Sequence, residues 1–126
     1  MISLQTYPNR GINLIMFRPL LFTESRRFTE GLVRLLSDSE YASLQRTLTL
    51  EPEKGTIIQH TGGARKVRVG LRGHGKRGGG RVVYYYQAAE AIHLLLIYPK
   101  NEKEDLSFED LDWIREAVGR IKGERL

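Results

Sequence analysis

The chain has 126 residues, no cysteine, and 20 Lys or Arg against 15 Asp or Glu, a net charge of +5. That length fits one domain with a single core, and the lack of cysteine excludes disulfides, thiolate metal sites and a cysteine nucleophile. The longest apolar run, Ile92–Tyr98 broken by His93, is far too short to cross a bilayer, and the N-terminus lacks signal-peptide character. A soluble cytoplasmic protein with no membrane partner is expected.

Residues 1–15 (MISLQTYPNRGINLI) keep no sustained period. They are expected to be a loosely ordered arm or the product of an upstream start site, ahead of a domain over 16–126. A short extra strand is the alternative. Met16–Phe22 then reads as an apolar strand whose Pro19 suits a sheet edge. Thr23 is the expected N-cap of a helix carrying Phe28, Leu32, Leu35 and Leu36 on one stripe. Ser37 and Glu40 have the spacing of a capping box that opens a second helix. Tyr41, Leu44 and Leu48 form its stripe and Pro52 stops it. So short a joint predicts an antiparallel helix pair.

Past Gly55 the period changes to alternation. Over residues 65–71, Lys66 and Arg68 fall on one face, and Val67, Val69 and Leu71 on the other. A glycine-rich connection, Gly70–Gly80, leads to a strand over Arg81–Gln87. A hairpin-length joint, Ala88–Glu90, precedes a nearly continuous apolar strand, Ala91–Tyr98, suited to a central position. Pro99 stops it. Ser107 with Asp110 caps a final helix with the stripe Leu111, Ile114, Val118 and Ile121. The order β-α-α-β-β-β-α predicts an α+β fold, with the helix hairpin and the C-terminal helix packed on one face of a small, twisted, mostly antiparallel sheet. The opposite face is then free to present Lys66, Arg68 and Arg81.

Charge is concentrated along this pattern. Between Ala64 and Arg81 stand seven cations and no carboxylate: Arg65, Lys66, Arg68, Arg72, Lys76, Arg77 and Arg81. The rest of the chain is slightly acidic, so the excess positive charge sits in one segment. A polyanion, most commonly a phosphate backbone, is the partner such a segment serves. The string Gly70–Lys76 matches the first seven positions of a P-loop. Arg77 stands where the magnesium-binding Ser or Thr belongs, and a strand follows where a helix is required. Nucleotide triphosphate hydrolysis is therefore not expected, though glycine-borne N–H groups can still wrap a phosphate. His60, His74 and His93 have no metal-ligand spacing, so neither metal nor cofactor is expected. His93 reads as a core residue, whereas His74, beside Lys76, is a candidate proton carrier. Tyr85 shares the face of Arg81 and can stack a base, with core packing as its alternative. The acids over Glu102–Asp112 read as capping for the last helix.

The run Thr61-Gly62-Gly63-Ala64-Arg65-Lys66-Val67-Arg68, followed by Gly73-His74-Gly75-Lys76-Arg77-Gly78-Gly79-Gly80-Arg81-Val82-Val83-Tyr84-Tyr85 and then LLLIYPKNEKEDL, resembles the RelE/ParE superfamily of bacterial toxins, nearest the HigB-type branch. The resemblance spans about Met16 to Val118. It implies a ribosome-dependent mRNA endonuclease that arrests translation without metal, held in check by a helix-turn-helix antitoxin. By similarity Lys66 and Arg68 supply phosphate contact or the general base, and Arg81 grips the scissile phosphate. Lys100 lies near the position of an arginine that assists the leaving group. Arg65, Arg72, Lys76, Arg77 and Tyr85 are assigned to binding RNA or the ribosome. Relatives also place a tyrosine in the final helix, where this chain offers only Phe108 and Trp113. A ParE-like, non-catalytic poison of DNA gyrase and an inactive RNA-binding relative are the competing readings.

Overall fold

The computed structural model describes residues 20–72, 75–102 and 105–123. The expected arm over 1–15 and the start of the expected first strand, 16–19, lie outside them. In chain order the elements are β1 (Leu21–Glu24), α1 (Arg26–Leu35), α2 (Asp38–Leu50), β2 (Thr56–Ile57), β3 (Arg65–Leu71), β4 (Gly75–Gln87), β5 (Ala91–Pro99) and α3 (Phe108–Lys122). The sheet runs β1-β5-β4-β3-β2, with β1 parallel to β5 and the other pairs antiparallel. The expected α+β class is what the chain adopts.

Helix starts follow local chemistry. Ser37 and Ser107 each close a full capping box, with Glu40 and Asp110 reaching back to the cap backbone. At α1 the cap is Ser25, not Thr23: its hydroxyl accepts from the Phe28 N–H at 3.0 Å and donates to the Leu95 carbonyl at 2.6 Å. Thr23 is instead paired with His93 inside β1. Pairing with β5 keeps the chain extended two residues further than the apolar pattern alone implied.

Two other expectations change. The strand expected from Arg81 begins at Gly75, because Gly75 pairs with Leu71 and Gly80 with Val69. Glycines lack side chains to pack, but Gly75 and Gly80 still pair through their backbone groups, on either side of an irregularity between Val69 and Leu71. More consequentially, the three helices do not share one face. Phe28, Leu35, Leu44 and Leu48 of the helix hairpin pack with Val67, Val82, Tyr84 and Leu94. Ile114 and Val118 of α3 pack with Val83, Leu95, Leu96 and Tyr98 on the opposite side. The cause lies in β5, which is buried along nearly its whole length. A strand apolar on both sides needs cover on both sides. An irregularity in the β4–β5 ladder, where Val83 faces Leu96 and Tyr84 faces Leu94, sends both Leu95 and Leu96 toward α3.

Helix α1 lies hard against β5 at Gly31, where an added Cβ would stand 2.6 Å from Ile97 Cγ2. Gly31→Ala is therefore expected to destabilise the fold by about 1–3 kcal/mol through overpacking, read as a lower denaturant midpoint at constant m. His93 ties β1 to the sheet: its ring bonds Thr23 Oγ1 at 2.7 Å and Gln87 Oε1 at 2.9 Å. Burial holds its pKa below the usual value of 6.5. The unfolded chain thus takes up a proton that the native state resists, so stability falls as pH drops through and below that value. His93→Gln is expected to flatten the stability–pH curve between roughly pH 7 and 5 in denaturant titrations.

Candidate functional site

Two turns fix the strand that carries the cations. Thr61, fully buried, donates to the Ile58 carbonyl at 2.6 Å and accepts from the Ala64 N–H at 3.1 Å. Gly62 and Gly63 follow at φ +79° and +117°, conformations that favour glycine. This turn delivers the chain into β3. The second turn, Pro52–Gly55, is held by Tyr84, whose hydroxyl donates to the Pro52 carbonyl at 2.7 Å and accepts from the Gly55 N–H at 2.9 Å.

With β3 so anchored, register decides what faces what. Arg68 stands directly opposite Arg81, and Arg81 directly opposite Tyr98. In the neighbouring row Lys66 faces Val83, which faces Leu96. Side chains two residues apart share a face, so Lys66, Arg68 and Arg81 stand on the α3 side of the sheet. There α3 packs on β4 and β5 through Val83, Leu96 and Tyr98, and Arg68 is left exposed, with Lys66 and Arg81 half-buried. The described residues show no ion pair to Lys66, Arg68 or Arg81. Among the described residues the Arg81 guanidinium donates only to the Gly80 carbonyl, at 3.0 Å. Directly opposed like charges destabilise a strand pair, and an anion lying between them removes that cost.

The other expected site residues separate by location. Lys100 is exposed just past β5, its N–H bonded to the Gly79 carbonyl at 3.1 Å, at the end of the sheet nearest the Arg81 row. Tyr85 does share the face of Arg81, but it lies at the far end of α3, against His93 and under Lys122 Nζ at 5.7 Å from the ring centre. Arg65 points away from Lys66 and serves the Pro52–Gly55 turn. It donates to the carbonyls of Glu53 at 3.0 Å and Gly55 at 2.8 Å, with its side chain only 19% exposed. Arg72 binds the end of α1, through its N–H to the Leu35 carbonyl and its guanidinium to the Leu36 carbonyl, both at 2.9 Å. Lys76 and Arg77 fall in the first part of β4, and His74 lies outside the described residues.

Tyr98 was not singled out by the sequence. Its signal was only its place in an apolar strand, and register alone sets it across from Arg81. Burial pushes its phenol up and the Arg81 charge opposes that shift; the net rise keeps it protonated at neutral pH. Among the described residues no group of His, Cys, Asp or Glu is arranged to hold a metal ion, and no helix is long and apolar enough to cross a membrane.

Residues 37–124, from α2 through α3, match the family model for the RelE toxin of the RelE / RelB toxin-antitoxin system. The chain belongs to the RelE toxin family. As a member it is the toxin of a toxin–antitoxin system, and an antitoxin is its partner. β1 and α1 precede the matched segment, yet they complete the core beneath it.

For this RelE family member, the two roles of arginine separate by experiment. Arg65→Ala is expected to cost about 1.5–3 kcal/mol of stability, as lost charged hydrogen bonds do, with no change in anion affinity. The check is a denaturant titration alongside RNA-binding anisotropy.

Proposed function

We propose that this toxin is a ribosome-dependent mRNA endonuclease of the HigB-type branch, acting without metal. The observation that carries the reading is the register of Arg68 against Arg81, with Lys66 beside them on the same sheet face. Two guanidinium groups held together can grip the non-bridging oxygens of one phosphodiester through paired N–H donors. RNA supplies its own nucleophile. The ribose 2′-oxygen attacks the adjacent phosphorus, a new O–P bond forms, and the bond from phosphorus to the 5′-oxygen breaks. The products are a 2′,3′-cyclic phosphate and a free 5′-hydroxyl.

Three demands fall on the protein: alignment of the phosphate, stabilisation of added negative charge, and movement of two protons. Arg81 and Arg68 meet the first two in this scheme. Lys66 is the nearby candidate to take the 2′-hydroxyl proton, and Lys100 stands at the sheet end suited to the departing 5′-oxygen. His74 is a second candidate for proton transfer. Because the face is a rigid, two-core sheet, the cations keep their positions as charge builds on the phosphate. The partners that go with this reading are mRNA in the ribosomal decoding site and a helix-turn-helix antitoxin, and the compartment is the cytoplasm.

Arg81→Ala is expected to abolish growth arrest and reduce cleavage by at least about 100-fold, the scale seen when one charge-stabilising donor is lost, while circular dichroism stays native. Transcript-end mapping after induction is the measurement. Codon-phased cuts in translated messages, absent in the variant, support the nuclease. DNA breaks with intact messages would replace it with a gyrase poison, and an Arg81→Ala protein as toxic as wild type would remove Arg81 from the site.

A further inference from the structure

A groove runs along α1 beneath the end of β5, outside the cationic face. Its inner half is floored by Gly31, Ile97 and Tyr98, with Arg27 and Arg34 on its walls. Its outer half lies between Arg34, Arg72 and Asn101. Arg34, Pro99 and Glu102 line both halves, so the Arg34–Glu102 ion pair crosses the groove like a bar. That bar is weak. The charged atoms are 3.8 Å apart and the side chains are 60% and 61% exposed, a class of pair that contributes little to stability. The remaining charges are not equally available. Arg27 is committed to Asp110 at 3.1 Å and to the Trp113 ring at 4.6 Å. Glu30 pairs with Arg26 at 3.6 Å. Arg72 spends one guanidinium N–H on the Leu36 carbonyl and keeps further donors. Arg34 and Arg72 are thus the exchangeable cations, and Glu102 is the acid that occupies one of them.

The groove also joins the proposed site. Pro99 and Asn101 line it, and Lys100 lies between them in the chain, bonded to β4 two residues before Arg81. We propose that this groove holds a second RNA phosphodiester, flanking the one on the cationic face, with Arg34 exchanging Glu102 for phosphate. The inference rests on the nuclease reading and names where the chain of RNA continues. The exchange is favourable because an exposed carboxylate is released to water while an arginine gains a bidentate phosphate contact. Messenger RNA beside the cut and ribosomal RNA carry the same chemistry.

The test titrates wild type, Arg34→Gln, Glu102→Gln and Arg81→Ala across salt with two probes: a short fluorescein-labelled single-stranded RNA, and purified ribosomes lacking messenger. Glu116→Gln, an exposed acid on α3, controls for net charge. Arg34→Gln is expected to weaken binding several-fold and reduce the salt slope by about 0.7. Glu102→Gln is expected to tighten it several-fold, and cleavage by Arg34→Gln to show a raised KM at unchanged kcat. Loss on the free RNA assigns the groove to the messenger; loss on ribosomes alone assigns it to ribosomal RNA. Arg34→Gln binding both probes as wild type, or Glu116→Gln tightening as much as Glu102→Gln, overturns the groove. If Arg81→Ala is weakened while Arg34→Gln is not, the groove alone fails; if neither is weakened, the nuclease reading fails with it.

Discussion

Two arginines directly opposite each other on adjacent strands repel, and this molecule holds Arg68 and Arg81 in that position. The cost is about 0.2–1 kcal/mol for such a pair. Burial outweighs it easily, since one fully enclosed large apolar side chain contributes about 1.5–3 kcal/mol, and Phe22, Phe28, Tyr84 and Ile92 are all fully enclosed. What makes the arrangement durable is that the sheet is clamped from both sides. Sliding β4 by one residue against β3 would remove Arg81 from Arg68 and at the same time turn Val82 and Tyr84 out of one core and Val83 out of the other. The charge cluster is therefore held by apolar packing, with no ion pair to it among the described residues.

The cations of the central segment, although adjacent in sequence, do different work. Arg65 stiffens the turn that leads into β2, and Arg72 finishes α1. Among the described side chains of that segment, Lys66, Arg68 and Arg81 are the ones placed together on the α3 side. Period-two alternation separates Arg65 from Lys66, so neighbours in the chain end on opposite faces. Helix α3 complements this division. Its C-terminal end is fastened by Lys122 to the Gly62 carbonyl at 2.6 Å, and its N-terminal end by Asp110 to Arg27. The Asp110–Arg27 pair ties α3 to α1, which covers the other side of the sheet, so the helix beside the cations is anchored at both ends.

Much of the architecture was readable residue by residue. The strand over 65–71, the two capping boxes, the hairpin joint after Gln87 and the final helix all came from local signals, because capping, turns and alternation are decided by neighbours in the chain. Thr23 misled because a hydroxyl before a helical stripe looks like a cap, whereas pairing of β1 with β5 moved the cap to Ser25. The glycine stretch misled for a similar reason: strand pairing acts through the backbone, which glycine supplies as well as any residue. The place of α3 follows from β5 itself: an apolar run as continuous as Ala91–Tyr98 requires cover on two faces, one from the helix hairpin and one from α3.

The sequence by itself determined the charge segregation, the alternation that puts Lys66 and Arg68 on one face, the sheet-forming segments and the helix boundaries marked by Ser37 and Ser107. These depend on periodicity and on contacts within a few residues, which the order of amino acids specifies directly. Only the tertiary structure decided that Arg81 faces Arg68 and Tyr98, that Arg65 is spent on a turn while Arg72 is tied to a helix end by part of its donor set, and that Arg34 meets Glu102 across a groove. Those relations depend on strand register and on which face each helix covers. Both are set by the packing of residues far apart in the chain.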